Sequence, residues 1–182
     1  MTRVLAFLAV LVAVAGGVLF YAEETMPAWY ARIRYPLEYE NIVRGHARNY
    51  ELDPALLAAV IYRESKFDAS ARSSSGAIGL MQLLPDTAKG IAIHTGGSRF
   101  VVSDLYDPEI NVRYGAFYLH RLMTKYGSER LALAAYNAGQ QNVDEWLADG
   151  KKIAFPETRE YVDEVEKLRD IYRKAYGDEL GG

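Results

Sequence analysis

Residues 53–85 constrain this chain more than any other stretch. Asp53 and Pro54 make a helix start, an N-cap followed by a proline in the first turn, and Leu56, Leu57, Ala59, Val60 and Ile61 supply a mostly apolar helical body. The helix is expected to end near Glu64, before a serine- and glycine-containing loop and an apolar turn that carries a single amide, Gln82. A carboxylate at the last turn faces the negative end of the helix dipole. With apolar neighbours around it, such a group holds its proton well above the ordinary value of about 4.3. Arg63 and Lys66 act in the opposite direction. Without such neighbours, Glu64 is an ordinary solvated helix-end residue.

The rest of the chain reads as helices joined by short turns, with no sustained two-residue alternation and no internal repeat. Ile42, Val43, His46 and Ala47 mark one helix. Asp107 as cap and Pro108 as first residue open another, which continues through Ile110, Tyr114, Phe117 and Leu122 and stops at Gly127. A helix opening around Ser128 carries Leu131, Leu133 and Ala134, with Gly139 as its terminating residue. Asn142 and Glu145 resemble a capping box for a short helix ending at Gly150. The last helix bears Tyr161, Val162, Val165, Leu168 and Tyr172 at core spacing. Residues 90–106 are expected to be irregular, with a short extended piece at 100–102.

Residues 4–22 carry no charge and as a helix span about 28 Å. Arg3 precedes the run and Glu23 and Glu24 follow it, an asymmetry that puts the N-terminus in the cytoplasm and the remainder outside. Ala13-Val14-Ala15 resembles a signal cleavage site, which would give a secreted protein. The apolar run extends past Ala15, however, and fits an uncleaved anchor in the cytoplasmic membrane, with Trp29 and Tyr30 in its interfacial belt. The expected organisation is thus an anchor at 1–24, a juxtamembrane linker at 25–36 and one domain at 37–182, within the ordinary size range of a single core. Cysteine is absent, which excludes disulfides, thiolate catalysis and cysteine–zinc sites. His46, His94 and His120 are too scattered to read as a metal site. A net charge of −3 implies no broad attraction to nucleic acid. Most of the 14 tyrosines are expected to be structural, but a flat apolar ring with a polar tip also suits the C–H faces of sugars.

Four segments resemble, in order, the motifs of the SLT-type lytic transglycosylase domain, over roughly residues 37–172. The first is E-S-x-F, a short loop and G-A-x-G-L-M-Q-x-x-P-x-T-A, matched by Glu64, Ser65, Phe67, Gly76, Ala77, Gly79, Leu80, Met81, Gln82, Pro85, Thr87 and Ala88. The others are D-P-E-I-N-V-R-Y-G-A-F-Y-L at 107–119, A-A-Y-N-A-G at 134–139, and Pro156-Glu157-Thr158-Arg159 with Tyr161 and Val162. Four ordered motifs are far more specific than any one of them. Two positions depart from the pattern: Ala69 where the family often has proline, and Leu84 where methionine is common.

The resemblance implies a mainly α, lysozyme-like fold with one cleft and peptidoglycan strands as substrate. It implies a non-hydrolytic cleavage of the β-1,4 bond between N-acetylmuramic acid and N-acetylglucosamine that needs neither metal nor cofactor. Glu64 would be acid and then base, with an intramolecular hydroxyl in place of water. Ser73, Gln82, Tyr136, Asn137, Glu157, Met81 and Gly79 would contact substrate. The residues themselves leave other readings open. Ser73 lies in a run of three serines that suits a solvated loop, and the amide of Gln82 suits loop capping as well as an acetamido group. Gly79 and Gly76 relieve backbone strain as readily as they admit a sugar ring. On periodicity alone Tyr136 is a core aromatic, Asn137 suits a helix end, and Glu157 favours the positive end of the last helix without any catalytic duty. Two rival functions follow. A goose-type lysozyme-like hydrolase would need a second carboxylate holding water, such as Asp68, Asp86 or Asp104. A wall-binding module of a cell-envelope complex would grip glycan without cutting it.

Overall fold

The computed structural model describes residues 2–181 apart from 96 and 98; the side chains of 2–4, 6, 9, 19, 23 and 24 also lie outside the described residues. The chain is helical throughout: α1 Thr2–Thr25, α2 Ala28–Arg34, α3 Glu40–Asn49, α4 Pro54–Ser65, α5 Pro85–Thr95, a 3-10 turn at Val102–Tyr106, α6 Pro108–Tyr126, α7 Glu129–Ala138, α8 Gln140–Ala148 and α9 Pro156–Leu180. Among the described residues, β structure is confined to the isolated bridges Arg72–Ile78 and Ile78–Leu83.

Helix α4 is the axis of the fold. Every residue from Ala55 to Tyr62 is buried, so the helix is apolar on all faces and lies inside the protein. It packs along α9, with α3 on another side, while α7 closes over α9 and α6. The expected caps form. Asp53 accepts from the Ala55 amide at 2.8 Å, Asp107 from that of Ile110 at 3.0 Å, and Ser128 from that of Leu131 at 3.5 Å. Gly127 closes α6 in the left-handed conformation. A smaller core joins Ile78, Leu83, Ala88, Ile91, Leu105 and Tyr114 from the loop, α5, the 3-10 turn and α6. The molecule therefore has two lobes, and the cleft lies between them.

Two expectations need correction. Residues 90–106 are irregular only in part: α5 continues to Thr95 and residues 102–106 form the 3-10 turn, closed by Asp104 accepting from the Val101 amide at 3.0 Å, while the described residues 97 and 99–101 belong to no helix or strand and Val101 is extended. Asn142 does not cap α8. Gly139 stands at the N-cap, and Asn142 lies one turn inside, its amide donating to the Ala138 carbonyl at 2.7 Å. The i to i−4 bond satisfies the asparagine without a helix start, which sequence spacing alone does not distinguish.

Residues 25–37 run back along α9 and are held by it. Lys174 donates to the Thr25 and Met26 carbonyls at 3.3 and 3.2 Å, Arg32 Nε to Ala175 at 3.0 Å and Tyr172 to Pro36 at 3.0 Å. Tyr176, at a break in the helical backbone of α9, accepts from the Leu37 amide at 3.2 Å and reaches the Tyr35 carbonyl at 3.1 Å. Among the described residues of α1, Leu5, Phe7, Val12, Val14 and Phe20 are exposed, whereas Ala22 is buried. Among the described residues no helix is long and apolar enough to cross a membrane. The expected span 4–22 includes 4, 6, 9 and 19, whose side chains lie outside those residues.

Candidate active site

The loop after α4 is built to present Glu64. The helix ends when Lys66 and Phe67 both take positive φ, 53° and 65°, conformations that cost a non-glycine residue free energy. Burial of Phe67 in the main core, edge-on to Tyr172, offsets that cost. Ser65 Oγ donates to the Leu80 carbonyl at 2.8 Å and ties the helix end to the loop 76–83. The E-S-x-F motif thus has a structural reason at each fixed position.

The loop itself hangs on Asn111, a fully buried amide on α6. Its oxygen accepts from the Met81 amide at 2.8 Å, and its nitrogen donates to the carbonyls of Ile78 and Leu105 at 2.9 and 2.8 Å. Gly79, at φ 79°, lies against this bridge; a Cβ there would fall 2.2 Å from the Asn111 amide nitrogen and 2.3 Å from the Leu105 carbonyl oxygen. Gly115 leaves room for the buried Met81 side chain, whose sulfur a Cβ would meet at 2.2 Å.

A cavity of about 350 Å³ opens where the lobes meet, with Glu64 in its wall. Ser73, Ser75, Gln82, Leu84 and Thr87 line one side, and Tyr118, Tyr136, Asn137 and Gly139 the other. Of the residues expected to touch substrate, Ser73, Gln82, Tyr136 and Asn137 thus join Glu64 there. Gly79 and Met81 are not among the lining residues and serve the loop from behind. Glu157 is exposed on the first turn of α9, outside the cavity.

Each cleft side chain is also held by the fold. Gln82, in a left-handed backbone conformation, donates both amide hydrogens to the loop, to Gly79 at 2.9 Å and Ala71 at 3.2 Å, which leaves its oxygen for a ligand. Ser73 Oγ accepts from the Ala77 amide at 3.0 Å. Tyr136 donates to the Met81 carbonyl at 2.7 Å and tilts against Tyr118 at 5.6 Å. Thr158, buried on α9, donates to the Asn137 oxygen at 2.9 Å and frees the amide nitrogen.

Glu64 is the one carboxylate among the described residues lining the cavity. Desolvation pushes its pKa up to about 7, against a hydrogen bond from Tyr161 and the charge of Arg63, which favour the ionised form. The Tyr161 hydroxyl donates to Oε1 at 2.7 Å. Arg63 turns away to pair with Glu164 on α9, its guanidinium 5.4 Å from the Tyr161 ring. Burial, and then the charge of Glu64, hold the Tyr136 and Tyr161 phenols well above their usual range, so both remain hydrogen-bond donors. Tyr161, which touches Glu64, and Tyr118, which lines the cavity, were given no role from the sequence, although both lie within motif segments. Tyr161 stood at core spacing, and the available signal was that a buried phenol needs a polar partner.

The family described as "Transglycosylase SLT domain" matches residues 41–157. A protein of Haemophilus influenzae named putative soluble lytic murein transglycosylase is 37% identical over 150 residues, 76% of this chain and 25% of its own length. One of Yersinia pestis named membrane-bound lytic murein transglycosylase F is 40% identical over 108 residues, 56% of this chain and 20% of its own. The crystal structure of the 70 kDa soluble lytic transglycosylase of Escherichia coli superposes with a TM-score of 0.76 at 30% identity, over 83% of this chain and 26% of that one. The chain spans a quarter or less of the length of the two curated relatives.

Proposed function

Because the chain belongs to the transglycosylase SLT domain family, we propose that it is a peptidoglycan lytic transglycosylase, a carbon–oxygen lyase acting on the MurNAc-β-1,4-GlcNAc bond. The observation that carries this reading is a lone carboxylate, with a pKa raised to about 7, in the wall of a cleft between two lobes. Protonated Glu64 delivers its proton to the glycosidic oxygen as the bond breaks, while the acetamido group of the muramoyl residue assists at the anomeric carbon. Ionised Glu64, stabilised by the Tyr161 hydroxyl, then takes the proton of the muramoyl C6 hydroxyl, which closes on the anomeric carbon to a 1,6-anhydro ring. An internal hydroxyl at high effective concentration makes a second protein carboxylate unnecessary. Gln82, Ser73, Tyr136 and Asn137 position the sugars.

A hydrolase of the goose-lysozyme type draws less support. Asp68 is spent on Ser70, Asp86 pairs with Lys89 and Asp104 caps the 3-10 turn, and none of them lines the cavity. A binding module without activity has no use for a carboxylate held near neutrality. The same reading includes anchorage in the cytoplasmic membrane through residues 4–22, with the N-terminus inside. It is supported by the uncharged run, the exposed apolar face of α1 and a relative named as membrane-bound.

Mass spectrometry of the products released from purified peptidoglycan tests the reaction. Ends about 18 Da lighter than hydrolytic ones, absent with Glu64→Gln, are expected. Reducing ends would show a hydrolase, and undigested wall that retains the protein a binding module.

A further inference from the structure

We propose that the cleft continues past Tyr118 into a cationic subsite where Arg121 receives a carboxylate of the wall strand. The inference rests on the lytic transglycosylase reading and names a substrate feature that the cleft selects. Thr87 and Tyr118 line both the Glu64 cavity and a neighbouring hollow of about 330 Å³ between α5 and α6, so the two form one groove with a tyrosine at the junction. A polymer cleaved at Glu64 has the length to occupy both.

The hollow gathers basic side chains in a chain whose net charge is −3. His94, Arg121 and Lys125 line it, and among the described residues no carboxylate does. The three are not equivalent. Lys125 is committed to Asp144 at 2.7 Å and to Gln140 at 3.2 Å, which balances its charge. Arg121 is exposed and rests over the Phe117 ring at 5.9 Å, with no carboxylate partner among the described residues. An aromatic support orients a guanidinium without consuming its donors, and the fork that remains matches a carboxylate. Peptidoglycan supplies carboxylates from two sources: the stem peptides, and the lactyl groups left where a peptide has been removed.

The test compares kcat/KM of the full chain and Arg121→Gln on peptide-bearing strands, on amidase-stripped strands and on peptide-bearing strands whose carboxylates have been amidated with carbodiimide. The variant is expected to lose about three- to tenfold on peptide-bearing strands and to match the unmodified protein on amidated ones. Arg121→Lys should retain part of the effect. A loss that vanishes on stripped strands identifies the stem peptide as the source of the carboxylate; a loss that persists there shows that the lactyl carboxylate, free only in stripped strands, is received as well. The same wild-type to variant ratio on native and amidated strands would overturn the subsite. Sedimentation of Glu64→Gln with native and amidated strands, with and without Arg121→Gln, reads the same preference without turnover. Failure of the transglycosylase reading would show separately, as the absence of anhydro ends from the unmodified protein on every strand.

Discussion

At the scale of single residues, the proposed chemistry rests on how Glu64 is held between two demands. Burial favours its protonated form and the Tyr161 hydroxyl its ionised form, and the proposed reaction needs first one and then the other. With Glu64 required as acid, kcat/KM is expected to fall as pH rises through about 7. Removing the Tyr161 hydroxyl as Tyr161→Phe deletes a contact that lowers the pKa. The alkaline limb of the pH profile should therefore move upward while kcat falls, and an unmoved limb would mean the bond does not act on Glu64. The raised pKa also has a cost in stability. Folded Glu64 holds its proton between its ordinary value of 4.5 and about 7, so stability is greatest below that window and declines across it. Thermal melts should show Glu64→Gln equal to the unmodified protein near about pH 4 and more stable by about 1–3 kcal/mol near about pH 8.5. Glu64, Ser73, Gln82, Tyr136 and Asn137 were legible in the sequence because their segments carry motif spacing. Tyr161 shares the spacing of the fourth motif, but its contact with Glu64 was not legible, because a phenol at a core position looks the same whether or not a carboxylate lies across the interface.

At the scale of elements, helices were legible where a cap or a proline announced them, as at Asp53, Asp107 and Ser128. The region 90–106 was not, since a helix end and a 3-10 turn there are fixed by burial of Ile91 and Leu105 in the second lobe rather than by local pattern. The loop 76–83 depends on a residue thirty positions away. Asn111→Ala would leave the Met81 amide and the Ile78 and Leu105 carbonyls without their partner, at an expected cost of about 3 kcal/mol or more in chemical denaturation. Activity should fall further than stability explains, because the Met81 carbonyl that fixes Tyr136 shifts with the loop.

At the scale of the whole molecule, the proposed membrane attachment rests on residues 4–22 alone. The full chain should sediment with cytoplasmic membranes, and protease added from outside should degrade its domain; release of a shortened protein into the soluble fraction would instead indicate cleavage near Ala15. Segment 25–36, expected from sequence as a linker, is seated on α9 through Lys174, Arg32, Tyr172 and Tyr176. A flexible leash would let an enzyme search a hemisphere whose radius grows with linker length. A chain fastened along its own last helix works as a bracket. With residues 4–22 in the bilayer as proposed, the Glu64 cleft would stand at one height above the membrane, and the depth of wall within reach would be set by the dimensions of the protein itself.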